Sequence, residues 1–133
     1  MDTRFGMTAF ERSLLYYYNK GYNDGVNNVD NIAGSILKYM KFESEYFETF
    51  YNSMAISGES GTLKYMFKGS IAESKLRAKS GTINRVKGYS GYVTSKSGRE
   101  IAFSMVVNNF SCTSREARAK LEQLMIALAE FNK

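Results

Sequence analysis

Residues 99–109 constrain the fold more than any other part of this sequence, because both alternating faces of the run are largely apolar. Successive residues of a strand point to opposite faces. The two resulting sets are Ile101, Phe103, Met105 and Val107 on one face, and Ala102, Ser104 and Val106 on the other. A strand of this kind is stable where other elements cover both sides of the sheet. We therefore expect a central strand with helices packed on both of its faces.

Two further strand-like runs precede this one. Residues 84–94 predict the hairpin partner, and the small residues of that run, Gly88 and Gly91 among them, allow close approach of a neighbouring element. Ser95-Lys96-Ser97-Gly98 has the composition of the turn between the two strands. The earlier run, residues 75–83, is basic and polar on one face and predicts an edge strand. Together the three runs predict an antiparallel sheet.

The last helix is the clearest helical element in the sequence. Thr113 and Glu116 match a capping box, in which the two side chains satisfy backbone amides at the start of a helix. A continuous apolar stripe follows on one face: Ala117, Leu121, Leu124, Met125, Leu128 and Phe131. We expect this helix to lie across the sheet.

Upstream of the strands, apolar residues at helical spacing predict three more helices, over residues 7–19, 31–41 and 44–54. Residues 20–31 are rich in Asn, Asp and Gly and predict tight turns, with Asp30 or Asn31 as the N-cap of the second helix. Residues 55–62 predict a glycine-rich loop. The predicted fold class is α+β, with helices packed on an antiparallel sheet.

The chemistry open to this chain is restricted by what the sequence lacks. Its 133 residues include no histidine and one cysteine, Cys112. Catalysis by Ser-His-Asp or Cys-His groups is therefore excluded, as are zinc sites that contain histidine or several thiolates, and iron–sulfur clusters. We expect no metal and no cofactor. Among the arrangements that activate a hydroxyl nucleophile, a Ser–Lys pair is the one that this chain could supply.

Charge and hydropathy narrow the class of partner. The net charge is +5, which permits nucleic acid, an acidic membrane surface or acidic small molecules as ligands. No run of eighteen apolar residues is present, so we expect no membrane span. The first ten residues contain no apolar segment of the kind found in signal peptides. The length fits a single domain, residues 1–133.

Lys79-Ser80-Gly81-Thr82 lies at the exposed end of the predicted edge strand. An ammonium group and two hydroxyls on one strand can bind an anion, and a glycine lets the backbone approach it. Lys96-Ser97-Gly98 repeats the first three residue types, but it falls in the predicted hairpin turn. We interpret that second copy as turn residues.

A family resemblance rests on four segments that keep their order and spacing. These are residues 61–70 (GTLKYMFKGS), 75–82 (KLRAKSGT), 90–104 (SGYVTSKSGREIAFS) and 107–110 (VNNF). They resemble the C-terminal end of the serine D-alanyl-D-alanine carboxypeptidases, low-molecular-mass penicillin-binding proteins that also include endopeptidases. The resemblance covers about residues 30–132. It implies the C-terminal part of the penicillin-binding, β-lactamase-like transpeptidase fold, with this chain as a portion of a larger carboxypeptidase domain.

In that family three motifs meet in one cleft: Ser-x-x-Lys, Ser-x-Asn and Lys-Thr/Ser-Gly. Lys79-Ser80-Gly81 matches the third. The resemblance implies that Lys79 supports proton transfer and the electrostatics of the site. It also implies that Ser80 and Thr82 hold the terminal carboxylate of the substrate, while the Thr82 amide lends one oxyanion-hole donor. Gly81 would allow close approach of the backbone.

The nucleophile is harder to place. Ser35-Ile36-Leu37-Lys38 has the spacing Ser-x-x-Lys, which puts Ser35 and Lys38 side by side on a helix. In a chain with this many serines and lysines, such a spacing is expected about once by chance. The family places its nucleophile far upstream of the strand motif, and no Ser-x-Asn sequence stands out. We therefore expect a chain that carries the substrate-binding strand without the nucleophile.

Three functions are compatible with the sequence. The first is part of a D-Ala-D-Ala carboxypeptidase acting on peptidoglycan stem peptides, with D-Ala-terminated peptides or β-lactams as ligands. The second is a non-catalytic module for an anionic or peptidic ligand, and the third is a basic nucleic-acid-binding domain, which lacks any recognised motif. By family resemblance the compartment would be the periplasm or cell envelope. Exposed apolar faces and a sheet edge would favour self-association.

Overall fold

A computed structural model of the chain describes residues 24–133, with side-chain burial defined from residue 32 onward. The helix predicted over residues 7–19 lies outside this range. The described part is an α+β fold with three α-helices and a four-stranded antiparallel sheet, which confirms the predicted fold class. In chain order the elements are α1 (Asp24–Phe42), α2 (Phe47–Asn52), β1 (Ala55–Ile56), a 3-10 turn (Gly61–Leu63), β2 (Leu76–Ile83), β3 (Val86–Thr94), β4 (Glu100–Asn108) and α3 (Ser114–Glu130).

The strands follow one another across the sheet in the order β1-β2-β3-β4. The register pairs Lys79 with Ser90 and Ser90 with Ser104, so these three residues form one row across the sheet. The first strand is only two residues long and pairs with Ala78 and Arg77 of β2. Beyond Ala78, the outer side of β2 has no strand neighbour among the described residues. The predicted edge strand is therefore confirmed for this outer half.

The sequence did not reveal β1, which lies at the start of the predicted glycine-rich loop. Two residues are too few to show an alternating pattern, so no signal marked them as a strand. The loop beyond them holds glycines with positive φ at Gly58 and Gly61, a backbone conformation that suits glycine. This loop brings Thr62 back toward β2.

One face of the sheet packs against α3. Its buried residues include Ile101, Phe103 and Met105 of β4, as predicted from the alternation along that strand. The capping box is present: the Thr113 side chain accepts from the Glu116 amide, and the Glu116 side chain accepts from the Thr113 amide. The residues of α3 that are buried at this interface are Ala117, Leu121, Met125, Leu128 and Ala129.

Leu124 departs from the predicted stripe, since 38% of its surface is exposed. The seam that α3 buries is centred between Leu121 and Met125, and Leu124 lies at its margin on the helical wheel. Ala129, at the opposite margin, is buried instead.

The other face of the sheet packs against α1 and α2. Leu37, Met54 and Tyr92 form the buried centre of this second cluster, with Phe47, Phe50 and Tyr51 around it. The Tyr92 hydroxyl donates to the Leu37 carbonyl oxygen at 2.5 Å, which ties β3 to α1. Burial raises the pKa of Tyr92 to about 12, and the nearby Tyr51 phenol adds to this effect. The phenol therefore keeps the proton that it donates to α1.

Both faces of β4 are thus covered, as the sequence predicted. The prediction of a central strand is wrong for the described residues, in which β3 is the only strand paired with β4. Apolar residues on both faces of a strand indicate that helices cover both sides of the sheet. They do not indicate whether the strand is central or at an edge.

The start of α1 corrects a second prediction. The helix begins by Asp24, so the turns predicted over residues 24–30 and the caps predicted at Asp30 or Asn31 are wrong. Val26 and Val29 continue the helical spacing of the apolar residues further along α1. Once a helix is nucleated, each Asn or Asp inside it costs only about 0.7 kcal/mol relative to alanine. The third predicted helix, residues 44–54, is shorter than expected, at Phe47–Asn52.

Close packing of β3 against β2 depends on Gly91. A Cβ placed there would overlap with the carbonyl oxygen of Arg77 and would lie 2.7 Å from the Ala78 Cα. Both neighbours are backbone atoms of a paired strand, so they cannot move aside without disturbing the sheet. A Cβ at Gly81, by contrast, would meet nothing within 4 Å.

We predict that Gly91→Ala lowers the free energy of unfolding by about 1–3 kcal/mol, because the added methyl group forces β2 and β3 apart. The matched control is Gly81→Ala, which adds the same methyl group to an open position of the same sheet and should change stability much less. Urea denaturation followed by circular dichroism measures both. Equal stability of the two variants would contradict the packing role of Gly91.

Candidate substrate-binding site

The β2 strand presents its side chains alternately on the two faces of the sheet. Leu76 and Ala78 belong to the core beneath α3, whereas the Arg77 guanidinium stacks over the Tyr51 ring of α2, 4.7 Å from its centroid. Because side chains alternate along a strand, Lys79 and Gly81 lie on the face of α1 and α2. Ser80 and Thr82 lie on the α3 face.

The backbone of the same residues lines an open edge. The Thr94 amide donates to the Lys75 carbonyl across the β2–β3 pairing, and the Ser57 amide donates to the Leu76 carbonyl from the outer side. Peptide groups in an antiparallel strand alternate between the two neighbours. Even-numbered residues of β2 therefore direct their amide and carbonyl groups outward. The outward amide and carbonyl groups of Ser80 and Thr82 have no partner strand among the described residues.

The hydroxyls of the two residues are already oriented. The Ser80 Oγ donates to the Thr62 Oγ1 at 2.8 Å, and the Thr82 Oγ1 accepts from the Lys87 Nζ at 2.7 Å. Ser80 is partly buried and Thr82 is exposed. The structure thus brings Thr62 and Lys87 to the strand, and neither was singled out from the sequence.

Only one of these two residues had a signal in the sequence. Asn84 and Arg85 form a two-residue turn between β2 and β3. Pairing the residues outward from this turn, Ile83 with Val86 first, places Lys87 directly opposite Thr82. Thr62 reaches the strand from a separate loop, eighteen residues before Ser80 in the sequence. No local pattern indicates a contact of that kind.

Lys79 is exposed on the face opposite to the two hydroxyls. Its neighbour in the register, Ser90, shares a hydrogen bond of 2.8 Å with the Ser104 hydroxyl. Among the residues whose side chains the structure describes, Lys41 pairs with Glu100 and Lys68 pairs with Glu73, and Lys79 takes part in neither ion pair. Lys79 therefore offers its charge to solvent or to a ligand.

Ser35 and Lys38 are both exposed on α1. Lys38 lines a cavity of about 270 Å³ that lies between α1 and the start of β4, together with Leu37, Lys41, Phe42, Tyr92, Arg99, Glu100 and Ala102. Glu100 lies four residues from Ser104 along β4, a distance of about 13 Å. Ser104 and Lys79 lie in the same row of the sheet, two strands apart, which is about 10 Å. The structure does not bring Lys38 next to Lys79.

The second Lys-Ser-Gly sequence is a turn, as predicted. Gly98 has φ of 80°, and the Gly98 amide donates to the Ser95 carbonyl. Lys96-Ser97-Gly98 connects β3 to β4 at the end of the sheet remote from Thr82.

Among residues 32–133, whose side chains the structure describes, no group of three potential metal-ligating side chains is present. In the same range, no helix combines the length and the apolar character needed to cross a membrane.

Comparison with solved structures identifies the class of fold. Penicillin binding protein 4 from Haemophilus influenzae superposes with a TM-score of 0.58 at 25% sequence identity, over 73% of this chain and 23% of that one. A predatory peptidoglycan endopeptidase from Bdellovibrio bacteriovorus superposes with a TM-score of 0.52 at 20% identity, over 77% of this chain and 26% of that one. The fold is therefore that of part of a penicillin-binding protein.

The family follows from the sequence match. Residues 30–131 match the model of the D-Ala-D-Ala carboxypeptidase 3 (S13) family, and this chain belongs to that family. The resemblance inferred from the sequence is confirmed.

Two curated relatives are carboxypeptidases. A D-alanyl-D-alanine carboxypeptidase from an Actinomadura species is 36% identical over 89 residues, which is 63% of this chain and 16% of that protein. Carboxypeptidase DacB from Mycolicibacterium smegmatis is 37% identical over 68 residues, 48% of this chain and 15% of that protein. The chain spans about a sixth of the length of these relatives.

We predict that Ser80→Ala changes the free energy of unfolding by less than about 1 kcal/mol, because its hydrogen bond to Thr62 is exposed to solvent. Thermal unfolding followed by circular dichroism measures the change. Ser57→Ala is the comparison, since the Ser57 hydroxyl is fully buried and bonded to Ala72 and Leu76. A larger loss for Ser80→Ala than for Ser57→Ala would assign Ser80 a structural role.

Proposed function

We propose that this chain carries the substrate-binding strand of a serine-type D-Ala-D-Ala carboxypeptidase that acts on peptidoglycan stem peptides, and that it does not carry the nucleophile. The proposal assigns Ser80, Gly81 and Thr82 to the substrate and Lys79 to the electrostatics of the reaction. The ligands are a peptide that ends in D-alanine or a β-lactam. By the same family resemblance, the compartment is the periplasm or cell envelope.

The observation that carries this proposal is the open edge at Ser80 and Thr82. An extended peptide can add to such an edge through backbone hydrogen bonds, which give affinity without side-chain specificity. The Thr82 hydroxyl lies beside that edge with its proton free to donate to a terminal carboxylate. The Ser80 hydroxyl can donate to the same carboxylate when it gives up its bond to Thr62. The outward Thr82 amide is a donor of the kind that stabilises the oxyanion of an acyl-transfer intermediate.

Gly81 supports close approach of the ligand. Its position is open and exposed, so the fold itself does not require a glycine there. Without a Cβ, the face next to Lys79 stays accessible to a peptide that lies along β2. Lys79, on this same face, supplies the positive charge for proton transfer and for the substrate anion.

Ser35 and Lys38 are poor candidates for the nucleophile and its base. Both lie on the exposed side of α1, and Lys38 lines the cavity at the Glu100 end of the sheet. Nucleophilic attack requires the hydroxyl to lie next to the carbonyl held by the substrate strand. The distance across the sheet argues against that contact.

A non-catalytic binding module is the second candidate. The same strand binds the same class of peptide in that case, but no nucleophile completes the reaction. The accessible apolar side chains of α1 (Ile32, Ile36, Tyr39 and Phe42) favour association of such a module with a second copy of the chain.

Covalent labelling tests whether this chain carries a nucleophile. We expect no covalent labelling of the isolated chain by a fluorescent penicillin, because Ser35 lies away from the substrate strand. Denaturing gel electrophoresis of the labelled chain is the measurement. Labelling of the wild-type chain that disappears in Ser35→Ala would overturn the proposal that this chain lacks the nucleophile.

Lys79 provides a direct test of the strand. We predict that Lys79→Met weakens binding of an N-acyl-D-Ala-D-Ala peptide by roughly tenfold, as expected for the loss of one charged contact in a partly solvated site. The control is Lys75→Met, which removes the same charge from an exposed position just before β2. Chemical shift changes in an NMR titration of the full chain give both affinities. Equal affinities of the two variants would exclude Lys79 from the site.

A further inference from the structure

Lys87 is an unusual residue on the β3 strand because its side chain is largely buried and carries a charge. Only 8% of its surface is exposed. Lys87 lies directly opposite Thr82 in the β2–β3 register, and its ammonium donates to the Thr82 hydroxyl at 2.7 Å. Cross-strand neighbours at a non-hydrogen-bonded position have close side chains. This geometry holds the lysine against the substrate strand.

The contact fixes what the Thr82 hydroxyl can do. An ammonium group has donors and no acceptor, so the Thr82 oxygen must be the acceptor of this bond. The proton of the hydroxyl then remains available for a second bond. A hydroxyl whose oxygen is already bonded to a cation is a good donor to an anion and a poor acceptor for another donor group.

The charge of Lys87 has no carboxylate to balance it. Neither the ion pair of Lys41 with Glu100 nor that of Lys68 with Glu73 involves Lys87. Burial lowers the pKa of Lys87, and the positive charge of Arg118 on α3 lowers it further. Two positive groups therefore face the region behind Thr82. The Glu122 carboxylate of α3 acts on nearby Tyr89 and accepts from the Phe67 amide at 2.7 Å, and it forms no ion pair with Lys87. Isolated buried cations are costly unless something compensates them.

We propose that Lys87 is a positioning residue that makes the substrate strand selective for ligands ending in a free carboxylate. It holds Thr82 as a hydrogen-bond donor and places positive charge behind it. Lys87 itself does not touch the ligand. This inference rests on the proposed function, in which β2 binds the terminus of a D-alanyl peptide.

The experiment compares two probes on the full chain. N-acyl-D-Ala-D-Ala carries a free carboxylate, and its C-terminal amide has the same shape without the charge. For the wild-type chain, NMR titration should show tighter binding of the carboxylate. In Lys87→Met, affinity for the carboxylate should fall about five- to tenfold, with little change for the amide. Lys87→Arg keeps the charge and the donors and should restore most of the selectivity.

Two controls separate positioning from general effects. Lys96→Met removes the same charge from the exposed β3–β4 turn, and its selectivity should equal that of the wild-type chain. Thr82→Val removes the hydroxyl with little change of shape. If Lys87 acts through Thr82, then Lys87→Met should have no further effect on selectivity in the Thr82→Val background.

Each outcome decides one question. A wild-type chain that binds neither probe overturns the proposed function and this inference with it. Binding with unchanged selectivity in Lys87→Met, or additive losses in the double variant, overturns the inference alone. Amide-proton spectra report whether each variant is folded. If Lys87→Met does not fold, Thr82→Val and Lys87→Arg still test the role: unchanged selectivity in Thr82→Val, or lost selectivity in Lys87→Arg, overturns it.

Discussion

The pairing of β2 with β3 is the constraint on which the rest of the structure depends. The two strands approach closely because Gly91 has no side chain, and β3 in turn connects the sheet to α1 through Tyr92. Each helix layer packs on one face of this pair and its neighbour β4. Beyond Ala78, the outer side of β2 is left as an edge at which a second extended chain can pair in register with the described sheet. A rigid inner side and an open outer side on the same strand are what a peptide-binding site requires.

The sequence predicted the parts of this fold that repeat a pattern. Alternation along β4, the capping box of α3 and the strand from residue 76 onward are all local signals, and the structure confirms them. The failures occurred where local preference competed with longer-range terms. Asparagine and aspartate favour turns, but in residues 24–30 the cost of placing them in a helix is small beside cooperative propagation of α1. The β1 strand is defined only by its partner, so no window of sequence could reveal it.

The candidate site likewise contains some residues that a local sequence pattern indicates and others that only the folded chain brings together. Lys79, Ser80, Gly81 and Thr82 were recognisable because they are adjacent in sequence and resemble a family motif, and they lie within residues 30–131, which match the D-Ala-D-Ala carboxypeptidase 3 (S13) family. Thr62 and Lys87 complete the hydrogen bonding of the two hydroxyls from other segments. The first comes from a loop held by glycines with positive φ, and the second comes from the register of a hairpin. Contacts of this kind are properties of the folded chain, since they depend on how distant segments align.

The open edge of β2 has a consequence for solubility. Unpaired amide and carbonyl groups on a strand are a template for pairing with the same strand of another molecule, which is how many proteins begin to aggregate. The exposed charge of Lys79 stands at the start of this edge, and two such edges brought together would place like charges near each other in a region depleted of water. The ammonium that we propose to attract a small anionic peptide therefore also discourages pairing with a second copy of the sheet. Replacing that charge would alter both the ligand that the strand accepts and the concentration at which the protein stays dispersed.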